Sequence, residues 1–167
     1  DKIEVDDKRV LYEKFIPLTA KEGYSEIYEN LVESIQERFT IPYEILHEIP
    51  YEKLGEYHTI KKGLDSSLNL RGEIPYEYEE NYNQGILIGL IKKGRIDEAY
   101  QNIKKMDLID DKNLLSQIVM KKLERDEIEQ AKKIAVQNHL SDTTEKIIVK
   151  LIKIGKIKES RNISDKL

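Results

Sequence analysis

The side chains that could do chemistry in this 167-residue chain are few and scattered. Its three histidines, His47, His58 and His139, never stand four residues apart, so no pair shares a helical face in the way a zinc hydrolase requires. His47 lies among Glu44, Glu48 and Glu52. At helical spacing those carboxylates gather on one side, and a solvated acidic face is the simplest use of that arrangement. Ser66-Ser67 offers two hydroxyls, but a serine nucleophile needs a base to take its proton, and no histidine stands near it in the sequence. Cysteine is absent, which removes disulfides, thiolate zinc sites and thiol nucleophiles and suits a reducing compartment. The glycines fall singly at turns and form no phosphate-cradling loop. These residues predict no catalytic group, no metal and no cofactor.

Two sets of side chains suit contact with a partner instead. Nine of the ten tyrosines precede residue 84, and the run Tyr76-Glu77-Tyr78-Glu79-Glu80 leads on to Tyr82. Amphipathic rings between acids serve interaction surfaces, and they serve the seams between helices equally well; Tyr76, Tyr78 and Tyr82 are the contact candidates. The second set is the basic run Lys146, Lys150 and Lys153, continued by Lys156, Lys158 and Arg161. With a sequence pI of about 5.6 and lysines interleaved with acids, the chain lacks the dense basic stripe that counterion release from nucleic acid needs, so no nucleic-acid partner is expected.

The elements that hold these residues are legible as a repeat. Leu90-Ile91-Lys92-Lys93-Gly94-Arg95-Ile96-Asp97-Glu98-Ala99 returns as Lys122 to Ala131 and again as Leu151 to Ser160. In each copy a turn residue (Gly94, Asp126, Gly155) is followed two places on by Ile (Ile96, Ile128, Ile157) and five places on by a small residue (Ala99, Ala131, Ser160). A Gly or Asp can enter the left-handed conformation that ends a helix and reverses the chain. The small residue lets two helices approach closely. Ile103, Ile134 and Ile163 extend the second helix of each pair, and Ile86-Leu87, Ile118-Val119 and Ile147-Ile148 mark the first. Gly63 and Gly23 carry the pattern back more loosely, giving about five hairpins, the second of them lengthened. Three strings, Ile41-Pro42-Tyr43-Glu44, Ile49-Pro50-Tyr51-Glu52 and Ile74-Pro75-Tyr76-Glu77, each read as the start of a helix, where Pro loses nothing by lacking an N–H.

The Gly94-x-x-x-Glu98-Ala99 spacing on such a turn resembles the tetratricopeptide repeat, well over residues 82–167 and loosely over 8–81. The departures are units shorter than ~34 residues, no Trp at the start of a first helix, and no closing Pro in the last units. The resemblance implies an all-α, right-handed α-α superhelix, a solenoid whose first helices line a groove for peptides. The comparable positions here are Asn81, Gln84, Ile88, Ile91 and Lys92; Asn113, Ser116, Gln117, Met120 and Leu123; and Asp142, Glu145, Lys146, Val149 and Lys153. They form no basic clamp for a terminal carboxylate.

Residues 1–81 are thus expected to be degenerate, acidic, Tyr-rich repeats and residues 82–167 regular ones, in one continuous solenoid. Residues 1–83 carry 10 Lys and Arg against 19 Asp and Glu, a net of −9, whereas residues 84–167 carry 18 against 13, a net of +5. Such halves could steer a charged partner or bring two copies together head to tail. The longest apolar stretch, Gly85 to Ile91, is far short of the ~20 residues of a membrane span. Asp1 reads as a processing boundary, since the basic-then-apolar pattern of a signal peptide is missing. The expectation is a cytoplasmic, non-catalytic scaffold for a protein or peptide. The alternative is a structural or regulatory segment of a larger enzyme or secreted effector.

Overall fold

The computed structural model describes residues 49–164 together with Glu29 and Val32; residues 49–164 form eight α-helices and no strand. In chain order these are α1 (Tyr51–Lys62), α2 (Leu64–Arg71), α3 (Tyr76–Lys92), α4 (Ile96–Lys105), α5 (Lys112–Glu124), α6 (Ile128–Gln137), α7 (Ser141–Lys153) and α8 (Ile157–Ser164). The described residues are all-helical, as the periodicity predicts. It divides into two compact units inside α3, between Gly89 and Leu90. The prolines act as helix punctuation: Pro50 is the N-cap of α1, Pro75 immediately precedes α3, and Ile49 and Ile74 beside them are buried. The third Ile-Pro string, at 41–44, lies outside the described residues, as do the turn at Gly23 and His47.

In the first unit, helices meet at glycine. A methyl group added at Gly85 would stand 2.8 Å from the Glu56 nitrogen and the Glu52 carbonyl carbon, and one at Gly89 would stand 2.8 Å from Thr59 Cβ. Gly55 faces the other way, against the Tyr82 carbonyl and the Ile86 nitrogen. The Gly85-x-x-x-Gly89 spacing puts both glycines on one side of α3, where α1 lies backbone to backbone. These three glycines sit inside helices, which corrects the expectation that the glycines mark turns alone. The missing Cβ is what lets the helices touch. Leu54, Leu70, Ile86 and Leu87 fill the rest of this core.

In the second unit, five helix ends close in the same manner. Gly94, Asp107, Asp126, His139 and Gly155 have positive φ, at 75°, 56°, 60°, 51° and 79°. The N–H one residue beyond each returns to a carbonyl five residues back: Arg95 to Leu90, Leu108 to Ile103, Glu127 to Lys122, Leu140 to Ala135 and Lys156 to Leu151, all at 2.9 Å. This is the Schellman closure, which satisfies carbonyls that the helix end leaves bare. Four of those returning residues then start the next helix: the carbonyls of Arg95, Glu127, Leu140 and Lys156 accept from Ala99, Ala131, Thr144 and Ser160. α5 has a side-chain cap instead, with Asp111 Oδ1 accepting from the Asn113 and Leu114 N–H groups at 3.0 Å.

Burial follows the repeat. Ala99, Ala131 and Ser160 are enclosed, and so are Ile103, Ile134 and Ile163. Consecutive helices from α4 to α8 pack on one another, and α5 also touches α7. The stripe at the turns is graded: Ile96 is buried, Ile128 half-buried and Ile157 53% exposed. Between helices runs one buried charge. Lys122, with a side chain only 1% exposed, donates to Asp97 and Glu127 at 2.7 Å and to the Gln130 carbonyl oxygen at 2.6 Å. Burial opposes its charge, but the bonds to Asp97 and Glu127 outweigh it and hold the ammonium pKa above the ordinary 10.5.

Candidate functional site

A groove of about 410 Å³ runs along the second unit, lined by Ile91, Asn113, Ser116, Gln117, Met120, Lys121, Asp142, Thr143 and Lys146. Its construction follows from helical spacing. On α5, positions 113, 116, 117 and 120 recur at three and four residues and so form a single stripe; on α7, positions 142, 143 and 146 do the same. The last turn of α3 contributes Ile91 to the lining. Seven of these residues are positions that the tetratricopeptide resemblance assigns to a concave face, and Lys121 and Thr143 join them. Met120 makes the lining adaptable, while Asn113 and Gln117 present amides that can both donate and accept. Lys146 is exposed at one side with Asp142 near it in the same lining; Lys121 is held at 2.6 Å by Glu124. Such a surface offers hydrogen bonds to a peptide backbone and two opposite charges for its side chains. Two further grooves lie on the other helices of the unit, one between Tyr100, Lys104, Lys133 and Gln137, the other between Lys132, Val136, Glu159 and Asn162.

The six contact candidates fare differently. Lys146 lines the groove. Lys153 is exposed on α7, outside the lining. Lys150 is half-buried, pairing with Asp126 at 2.5 Å and donating to the Leu123 carbonyl; it ties α7 to the turn before α6. Tyr76 stands 91% exposed. Tyr78 stacks on Tyr51, ring centroids 4.6 Å apart and planes 10° from parallel. Tyr82, expected among the contact residues, is core: it has no exposed surface and its hydroxyl donates to the Ser67 carbonyl at 3.4 Å. Burial raises its pKa accordingly. A period of three to four along α3 places Tyr78 and Tyr82 on one side and Tyr76 on another, which the interleaving of Tyr and Glu conceals.

The structure also brings together a serine and a histidine that the linear sequence keeps apart. His58 Nδ1 lies 3.2 Å from Ser67 Oγ, correcting the expectation that no base stands near this serine. The geometry nonetheless makes the pair a packing element. Ser67 Oγ donates its single hydrogen to the Gly63 carbonyl at 3.0 Å and accepts from Thr59 at 2.9 Å, so the imidazole completes the set by donating through Nδ1–H. All three side chains are buried, and a base that is itself the donor takes no proton from its partner. Burial, then the charge of Lys62, lowers the His58 pKa from 6.5.

Among the described residues no group of His, Asp and Glu could hold a metal ion, and no helix is long and apolar enough to cross a membrane. No protein-family model, curated protein or solved structure matches this chain.

Proposed function

We propose that this chain is a non-catalytic scaffold for a protein or peptide partner, a right-handed solenoid of tetratricopeptide-like hairpins that seats an extended segment in the groove between α3, α5 and α7. The observation that carries this reading is the lining itself: residues of α5 and α7 with the end of α3 line one concavity in which the apolar Ile91 and Met120 stand with the amides of Asn113 and Gln117. The buried Ser67–His58 pair supports the non-catalytic side of the reading, because both groups are shut off from solvent. Within this reading α1 with α2, α3 with α4, α5 with α6 and α7 with α8 are four hairpins; the fifth that the sequence suggests, at Gly23, lies outside the described residues.

The test is selection of binders from a displayed random-peptide library on the wild-type chain, followed by affinity measurement on groove variants. Gln117→Ala and Lys146→Glu are both at solvent-accessible positions, and each is expected to weaken a selected peptide about tenfold, the effect of a ~1.4 kcal/mol contact. Peptides that bind all variants equally, or a selection that yields none, would sink the groove as the binding site.

A further inference from the structure

Four of the five large apolar side chains exposed among the described residues fall within nine residues of one another in the chain: Val149 and Ile152 on α7, Ile154 at its end and Ile157 at the start of α8, each 50–53% exposed. Large apolar side chains exposed in such a cluster mark a contact surface, and the repeat says what kind. The positions one unit earlier are Met120, Leu123, Arg125 and Ile128. There Leu123 is buried and Met120 and Ile128 are half-buried, while Lys150 from the following unit reaches the Leu123 carbonyl and Asp126. One unit earlier the apolar positions of this face are thus partly covered, with Arg125 exposed, and the later copy is flanked in the chain by the exposed Lys153 and Lys158.

The fifth exposed apolar side chain supplies the occupant. Tyr76, 91% exposed, opens α3 with Glu77 and Glu80 exposed beside it, in the half of the chain whose net charge is −9. We propose that the Tyr76 edge of one copy docks on the Val149–Ile157 face of a second copy, ring against the aliphatic patch and Glu77 and Glu80 against Lys153 and Lys158. Two identical faces meeting would set lysine on lysine, so the contact is heterologous, head to tail. None of these residues is in the lining of the groove, and the contact stands whether or not the groove binds.

Sedimentation velocity on the full chain from about 10 μM to about 1 mM spans the affinity expected of so small a contact. The average mass should climb above 19.6 kDa with concentration at low salt and fall back when salt shortens electrostatic reach to about 3 Å at 1 M. Tyr76→Ala and Ile152→Glu should each stay monomeric with an unchanged helical circular dichroism spectrum; Ile154→Glu replaces the latter if it fails to fold. Mixed, the two variants each keep one intact half and should form a pair of about twice the chain mass. A wild type that stays at the chain mass throughout, whether or not it captures anionic vesicles or another protein, would overturn the proposal. So would variants that assemble as wild type does, or a mixture that remains monomeric.

Discussion

Two buried polar side chains have consequences that belong to single residues. His58 is buried against Ser67 and Thr59 and its pKa is lowered from 6.5. The unfolded chain therefore binds more protons than the folded one as pH drops through 6.5, so His58 contributes stability at neutral pH that is lost towards the depressed folded pKa. Urea unfolding followed from pH 7 to pH 5 should show a decline that His58→Gln reduces. Lys122 behaves differently, because it folds charged. Replacing it with Met takes the ammonium from Asp97 and Glu127, which stay partly in water at 67% and 28% side-chain exposure, with Arg125 still 3.9 Å from Glu127; the expected loss in denaturant titration is about 1–3 kcal/mol, below that of a fully buried broken pair. The sequence displays neither effect. Lys122 stands in a run of charges identical in composition to solvated ones, and its burial is set by Asp97, 25 residues away, and by Gln130, eight residues away.

At the scale of the element, turns were legible and helix contacts were not. Gly94, Asp126 and Gly155 stand out in the sequence because a turn requires left-handed backbone and few residues accept it. Asp107 and His139 close helices with the same geometry, yet escape notice because His carries no turn signal and Met106-Asp107-Leu108 reads as helix continuation. Since His139 occupies φ +51°, a conformation that costs an ordinary L-residue roughly 1 kcal/mol, His139→Gly should raise the melting temperature by a few degrees for a chain of this size. The contact of α1 with α3 was hidden for another reason: Gly85 and Gly89 look like breakers in an apolar helix until a neighbouring backbone is placed against them. Gly85→Ala puts a methyl group 2.8 Å from main-chain atoms that cannot yield locally. It should destabilise the chain by roughly 3 kcal/mol, whereas Gly155→Ala, with open space around it but φ +79°, should lose only about 1 kcal/mol.

At the scale of the molecule, the order of helices and the identity of most groove residues follow from periodicity, because a repeat places equivalent positions on equivalent faces. Asn113, Gln117 and Lys146 could be read as neighbours without knowing a single distance. What periodicity could not separate is contact from core within one face: Tyr82 and Lys150 share their helices with exposed residues, and only the neighbouring helix decides which side is covered. The exposed side chains from Val149 to Ile157 were equally silent, since the apolar residues at the matching positions one unit earlier, Met120, Leu123 and Ile128, are buried or half-buried. The most direct measurement of the central claim is amide hydrogen exchange on the full chain with and without a peptide selected for binding. Seating in the groove predicts added protection in residues 112–121 and 141–147 together. Protection confined to the other helices, or none despite saturating peptide, would contradict the account of this chain as a scaffold that binds between α5 and α7.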